Sequence, residues 1–171
     1  PNTGIFISFI ASTKRKNQLF FKTSVPFKER EPFNSFNIKP ECRFWSFCKK
    51  ACSYCNFHFS TQTHQKEEFI QSLISEIELQ KNYLHQPIET IYLGGGTPSL
   101  LDNNELELII QSIQKHFTLA PQIEFTLEAN PDDMSAKAAQ IWRSLGVNRL
   151  SIGIQSFQPQ ALAWMNRAHT V

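Results

Sequence analysis

The chain has 171 residues, of which 41% are apolar, and a formal net charge of +2. This length allows one domain with a hydrophobic core but excludes a complete eight-stranded β/α barrel. The charge is too small to indicate a nucleic-acid partner. Since no apolar run reaches the roughly 20 residues of a transmembrane helix, we also expect no stable membrane anchor.

Residues 1–40 differ from the rest of the chain in charge and in pattern. They carry seven Lys or Arg against two Asp or Glu, whereas residues 41–171 carry ten against thirteen. Their apolar residues follow no regular period and several prolines interrupt them, so we expect a poorly organised basic segment that need not be native. Residues 1–28 contain no acid, and this composition makes a mitochondrial location the alternative to the cytoplasm.

Four cysteines lie within 14 residues, namely Cys42, Cys48, Cys52 and Cys55. This clustering favours a metal site in a reducing compartment, because a disulfide framework would spread its cysteines along the chain. Three thiolates from one loop can hold three irons of a 4Fe–4S cluster and leave the fourth iron open to a small molecule. The alternatives are a zinc site completed by His58 and a set of unrelated cysteines.

After the cysteines, segments of helical and strand period alternate. This alternation predicts an α/β fold with a parallel sheet, right-handed crossovers and helices that cover the sheet. The predicted elements are a helix over 67–84, a strand over 88–93, a helix capped by Asp102, a strand over 122–129, a helix from Ser135 to Gly146, a strand over 148–154 and a helix that starts at Pro159.

Polar motifs follow the predicted strands, at the edge where parallel sheets bind their ligands. "GGGTPS" at 94–99 allows a ligand to approach the backbone closely, although an ordinary glycine-rich turn is the alternative. Glu128 ends a strand, where a carboxylate can accept paired hydrogen bonds from ribose hydroxyls or remain a solvated charge. Gln155 can contact a ligand or cap the turn after its strand. Arg167 can bind a ligand carboxylate or be a solvent-exposed charge.

The order of these motifs resembles that of the radical S-adenosylmethionine (SAM) superfamily. The chain has Cys-x-x-x-Cys-x-x-Cys with an aromatic residue before the last cysteine, then "GGGTPS", "EANP" and "SIGIQSF", followed by "MNRAH". Within the superfamily, residues 47–170 are similar to the oxygen-independent coproporphyrinogen III oxidase-like proteins. The resemblance implies a partial, TIM-like (β/α)6 barrel that is truncated after about four strands, with residues 41–171 as the N-terminal part of the core domain.

The resemblance also implies a set of ligands and site residues. A 4Fe–4S cluster would be bound by Cys48, Cys52 and Cys55, and its open iron would bind the amine and carboxylate of SAM. The residues implied at SAM are Tyr54 near the adenine, Gly95, Gly96 and Thr97 along the cofactor, and Glu128, Gln155 and Arg167 in contact with it.

Position 57 distinguishes two branches of these proteins. The haem-biosynthetic oxidase carries a further cysteine there, and this chain has Phe57. The chain therefore resembles the haem chaperone branch of porphyrin metabolism, which binds haem and delivers it to acceptor proteins. A decarboxylating coproporphyrinogen III oxidase is the alternative, although Phe57 and the truncation argue against that activity. A zinc-binding interaction module and an inactive fragment are the remaining alternatives.

The chain departs from the family before the cysteine loop. Family members read Tyr-x-His-x-Pro-Phe-Cys, whereas this chain reads "CRFWSFC", with Cys42 in place of the tyrosine and Phe44 in place of the histidine. "GIFISFI" at 4–10 resembles the beginning of such a first strand. From these departures we expect uncovered apolar faces, marginal stability and aggregation of the isolated chain.

Overall fold

The computed structural model describes residues 4–7, 18–20, 47–56 and 59–171. Its strands and α-helices are β1 Gly4–Ile7, β2 Gln18–Phe20, α1 Lys66–Leu79, β3 Ile88–Leu93, α2 Asn103–His116, β4 Leu119–Ala129, α3 Ala136–Ser144, β5 Arg149–Ile152 and α4 Pro159–Trp164. Two short 3-10 helices, Pro98–Leu100 and Pro131–Asp133, follow β3 and β4. The alternation of strands and helices from α1 onward confirms the predicted α/β class.

The strands form one parallel sheet in the order β2-β1-β3-β4-β5. Tyr92 of β3 pairs with Thr126 of β4, and Glu128 of β4 pairs with Ser151 of β5. Because all the strands run in one direction, the loops that follow β3, β4 and β5 meet at the same edge of the sheet. That edge carries the polar motifs found in the sequence.

Two segments of the region that we expected to be poorly organised are strands. Gly4–Ile7 pairs with β3, in agreement with its resemblance to a first strand, and Gln18–Phe20 pairs with β1 without having been predicted. The remainder of 1–46 lies outside the described residues, so the domain boundary at residue 40 stays a prediction. Predictions for four single residues also fall outside them, namely Cys42, Phe44, Phe57 and His58.

Local hydrogen bonds explain why two of the helices begin where the sequence predicts. The Asp102 carboxylate accepts from the Glu105 amide at 2.9 Å, and the Glu105 carboxylate accepts from the Asp102 amide at 2.7 Å. Ser135 accepts from the Ala138 amide at 3.0 Å at the start of α3. After α3, Gly146 has a φ of +98°, the left-handed conformation that glycine adopts most readily.

One hydrophobic core lies between the sheet and the helices. Its sheet side includes Ile91 and Leu93 of β3 and Phe125 and Leu127 of β4, all of them buried. The predicted first helix ends at Leu79, and Leu84 packs against this core from the following turn. Since side chains alternate along a strand, Tyr92, Thr126 and Glu128 point to the opposite face of the sheet. None of the helices in the described part of the chain has the length and apolar character to cross a bilayer.

Candidate cofactor site

A cavity of about 400 Å³ lies at the carboxyl ends of β3, β4 and β5. This volume falls within the range of small-molecule binding sites. All ten residues that the sequence singled out line this one cavity: Cys48, Cys52, Tyr54, Cys55, Gly95, Gly96, Thr97, Glu128, Gln155 and Arg167. The fold therefore brings together residues that span more than one hundred positions of sequence.

The beginning of the cysteine loop is held by the backbone and by the core. The Cys48 amide donates to the Ser60 carbonyl at 2.9 Å, and the Thr97 amide donates to the Phe47 carbonyl at 2.8 Å. The buried Phe47 ring packs edge-on against Phe69 of α1, with a centroid distance of 5.8 Å. The position of Cys48 is therefore tied both to the loop after β3 and to α1.

The surroundings of Cys48 favour the protonated thiol. Burial raises the pKa of the Cys48 thiol, and the neighbouring Cys55 and Cys52 act in the same direction. The Thr97 hydroxyl, 3.5 Å from the Cys48 sulfur, opposes this effect only in part. A thiolate at this position is therefore unfavourable unless a metal compensates its charge.

Cys48, Cys52 and Cys55 are free, partly buried cysteines that line the same cavity. Three thiolates from one loop can bind three irons of a 4Fe–4S cluster. Among the described residues, no three of the His, Cys, Asp and Glu side chains are grouped closely enough to hold a single metal ion. The cluster assignment therefore stays a prediction, and the zinc alternative depends in part on His58, which lies outside the described residues.

The cysteine loop also docks on the end of α4. Ser53 donates from its amide to the Met165 carbonyl at 3.1 Å and from its hydroxyl to the Trp164 carbonyl at 2.8 Å. The Asn166 amide group donates to the Ala51 carbonyl at 2.8 Å, and Asn166 itself has a φ of +54°. These contacts were not predicted from the sequence, although Asn166 lies in the motif "MNRAH".

Arg167 connects the cysteine loop to the ends of β4 and β5. Its Nη2 donates to the Gly153 carbonyl at 2.6 Å and to the Asn130 side-chain oxygen at 2.9 Å. Its Nη1 lies 3.5 Å from the Cys52 sulfur and 3.4 Å from the Tyr54 hydroxyl. This guanidinium therefore organises the cavity wall in addition to presenting a positive charge to it.

Glu128 is held from two sides by residues of β3 and the glycine loop. The Tyr92 hydroxyl donates to Glu128 Oε1, and the Gly95 amide donates to Oε2 at 3.0 Å. Burial raises the pKa of Tyr92 to about 12, and the hydrogen bond to the Glu128 carboxylate adds to this shift. Tyr92 was not identified from the sequence as a site residue.

Gln155 has an unusual backbone conformation, and its side chain lies close to Gly153. Its φ of +66° lies in the left-handed region, which non-glycine residues adopt mainly at constrained or functional positions. A Cβ atom placed on Gly153 would lie 3.0 Å from Gln155 Nε2 and 3.6 Å from Arg167 Nη2. The absence of a side chain at position 153 therefore leaves room for two of the predicted ligand-binding side chains.

Ion pairs join Lys49 of the cysteine loop to the turn after β4. Lys49 pairs with Asp132 at 2.7 Å and also with Asp133, in the turn after β4. Ser99 donates to the other Asp133 oxygen at 2.5 Å. The loop that carries the cysteines is thus joined to the loops that follow β3 and β4, an arrangement that the sequence did not predict.

The family model of the radical SAM superfamily matches residues 43–171. The chain belongs to the radical SAM superfamily. Members of this superfamily typically bind a 4Fe–4S cluster and SAM. The prediction made from the order of the motifs is therefore confirmed at the level of the superfamily.

Curated relatives of this radical SAM chain include haem chaperone HemW proteins. The chain is 38% identical to HemW of Lactococcus lactis subsp. lactis over 125 residues, which cover 72% of this chain and 32% of the relative. It is 36% identical to HemW of Mycobacterium tuberculosis over 129 residues, which cover 72% of this chain and 33% of the relative. The chain thus spans about a third of the length of the curated relatives it matches.

A solved structure shows the same fold. The structure of coproporphyrinogen III oxidase (HemN) from Escherichia coli, a radical SAM enzyme, is similar with a TM-score of 0.68 and 24% sequence identity. The match covers 72% of this chain and 29% of that chain. This likeness confirms the predicted radical SAM barrel, of which the chain forms a part.

Proposed function

We propose that this chain binds a 4Fe–4S cluster through Cys48, Cys52 and Cys55 and SAM in the cavity beside them. The observation that carries the proposal is the convergence of all ten predicted residues on one cavity of about 400 Å³. The shared location of the three cysteines in the lining of this cavity supports the same assignment. When bound, the cluster supplies the one-electron reduction of SAM that is typical of the superfamily.

The chain's own residues bind and orient the nucleoside and amino-acid parts of SAM in this proposal. Glu128 offers carboxylate oxygens to the ribose hydroxyls, and the loop at Gly95 and Gly96 lets the ligand approach the backbone. Arg167 lends positive charge to the wall next to Cys52. Tyr54, 41% exposed, provides an aromatic surface at the cavity for the adenine.

We further propose that the chain is the cluster-binding part of a haem chaperone of the HemW kind. Two relatives of that name at 38% and 36% identity support this proposal. Phe57 supports it as well, because the oxidase branch has a cysteine at that position. Haem or a porphyrin and a haem acceptor protein are the proposed partners. A reducing compartment such as the cytoplasm is the proposed setting, because the cluster ligands are free cysteines.

The first test is anaerobic reconstitution of the chain with iron and sulfide, followed by quantitation of iron, sulfide and zinc. We expect about four irons per chain and an electron paramagnetic resonance spectrum of the reduced protein that changes when SAM is added. Cys52→Ala should abolish the signal. Cys42→Ala is the matched control, since it removes a nearby cysteine that is not assigned to the cluster, and it should retain the iron.

The outcomes distinguish the alternatives for this site. Zinc without iron, or folded protein without metal, would overturn the cluster assignment and favour the interaction module or the inactive fragment. Iron that is lost in both cysteine variants would place Cys42 among the ligands.

Titration of the reconstituted chain with haem, followed by the Soret absorption, tests the chaperone proposal, and saturable binding is the expected result. A linear, non-saturable response would count against a haem site in this part of the protein.

A further inference from the structure

Tyr92 lies behind the carboxylate that the proposed function assigns to the ligand. Its hydroxyl donates to Glu128 Oε1 on the adjacent strand β4, and the Ser151 hydroxyl of β5, beyond β4, is also hydrogen-bonded to Tyr92. Among the described residues, Glu128 and Ser151 line the cavity and Tyr92 does not. Tyr92 is therefore placed to act on Glu128 rather than on a ligand.

The hydrogen bonds of Glu128 leave a defined set of acceptor positions. A carboxylate offers about two lone-pair positions on each oxygen. Tyr92 occupies one position on Oε1, and the Gly95 amide occupies one on Oε2. Among the described residues, no further donor takes the remaining position on each oxygen. A pair of acceptors held side by side in this way matches two hydroxyls on adjacent carbons.

We infer that Tyr92 is a positioning residue that orients Glu128 so that its two remaining acceptor positions receive the vicinal hydroxyls of the nucleoside ligand. This inference rests on the proposed function. Without the Tyr92 hydroxyl, Glu128 Oε1 loses a hydrogen-bond donor and the carboxylate can rotate about its side-chain torsions. Ligand binding must then restrict this rotation, and the entropic cost lowers the affinity. Within the described part of the chain, the Gly95 amide is then the remaining donor that holds Glu128.

The chemistry of Tyr92 suits a permanent donor. Burial raises the pKa of this phenol to about 12, so it stays protonated across the neutral range. Its neighbours on this face of the sheet include Glu128 and Ser151, with Arg149 opposing the shift by its positive charge. The hydrogen bond to Glu128 therefore persists under the conditions in which the ligand binds.

A double-mutant cycle tests whether Tyr92 acts through Glu128. The affinity of the reconstituted chain for SAM is measured by equilibrium dialysis for the wild type, Tyr92→Phe, Glu128→Ala and the double variant. We expect Tyr92→Phe to weaken binding about tenfold in the wild-type background and less than about twofold when Glu128 is alanine. Tyr83→Phe is the matched control, because it makes the same change at a side chain that is 62% exposed and remote from the cavity lining.

The results separate this inference from the proposed function. Wild-type protein that holds iron and binds SAM, with Tyr92→Phe equally tight, would overturn the positioning role alone. An equal loss in both backgrounds would also overturn it, because Tyr92 would then act on the fold and not on Glu128. Wild-type protein that binds no SAM would overturn the proposed function, and the inference would fall with it. Thermal unfolding and iron content, measured for each variant, check that the substitutions preserve the fold and the cluster.

Discussion

At the scale of single residues, hydrogen-bond partners decide what a predicted ligand residue can do. Arg167 was predicted to contact a ligand, and two of its donor contacts go to Gly153 and Asn130 in the protein. Glu128 was predicted as a hydroxyl acceptor, and two protein donors fix the direction in which it accepts. The residue types were predictable from the motifs, but the partners that set their orientation were not.

Tyr92 makes stability depend on pH in the alkaline range. Its pKa in the folded chain is raised from 10.0 to about 12, so the folded state keeps a proton that the unfolded state loses. The contribution to stability is complete below about pH 10 and is lost as the pH rises through about 12. We expect the free energy of unfolding, measured with urea between those pH values, to fall more steeply for the wild type than for Tyr92→Phe. Parallel slopes would contradict this prediction.

Two glycines are expected to respond in opposite ways to alanine. At Gly153 the added Cβ would crowd Gln155 Nε2 at 3.0 Å, so Gly153→Ala should weaken SAM binding with little loss of stability. At Gly146 the φ of +98° is unfavourable for alanine, so Gly146→Ala should lower the free energy of unfolding by about 1–2 kcal/mol. The second variant should leave SAM binding unchanged. Dialysis and urea unfolding of both variants check the pair, and a reversed pattern would refute it.

At the scale of elements, the cysteine loop depends on neighbours that are far away in sequence. Thr97 holds its beginning, the end of α4 holds its middle, and Lys49 joins it to the turn after β4. A loop of this kind has little regular structure of its own. Its shape in the folded protein is therefore a property of the sheet edge on which it lies.

The contact between Asn166 and the loop is testable without disturbing α4. Asn166→Gly tolerates the φ of +54° but removes the amide donor to the Ala51 carbonyl. We expect the reconstituted variant to lose iron to a chelator several-fold faster than the wild type, because the loop opens more often. Asn82→Gly, at an exposed turn after α1, is the control and should lose iron at the wild-type rate. Equal rates in all three proteins would show that this contact does not restrain the loop.

At the scale of the whole molecule, apolar side chains remain exposed on and after β5. Ile152 and Ile154 are 40% and 39% exposed, and Phe157 and Trp164 are 76% and 75% exposed. Among the described strands, β5 also forms one edge of the sheet, and sheet edges are prone to pair with other chains. These features support the expectation that the isolated chain aggregates, which stays a prediction.

Replacing two of these side chains should reduce that aggregation. We expect Phe157→Gln combined with Trp164→Gln to lower the light scattering of concentrated protein, because the apolar surface on this side becomes smaller. Leu79→Gln is the control, since Leu79 is 70% exposed at the end of α1 and lies outside the segment on and after β5. An equal decrease in both proteins would mean that aggregation does not depend on the surface near β5.

The sequence by itself determined the elements whose causes are local. The capping box of Asp102 and Glu105 specified the start of α2, and the short β-branched run that ends at three glycines predicted β3 over the residues where it occurs. The spacing of the cysteines and the order of the strand-end motifs predicted the superfamily and, through that resemblance, ten of the residues that line the cavity. Each of these signals lies within a short segment of sequence. It can therefore be recognised without knowledge of the tertiary contacts between segments.

The tertiary structure decided which of those stretches touch, and therefore how the site works. Tyr92 of β3 reaches Glu128 of the adjacent strand β4 across 36 positions of sequence, and Arg167 reaches Asn130 and Cys52 across 37 and 115 positions. β1 joins the sheet beside β3 although more than 80 positions separate their paired residues. Such contacts depend on the order and register of the strands, which are set by the packing of the whole sheet. The sequence contains no periodic pattern that specifies them.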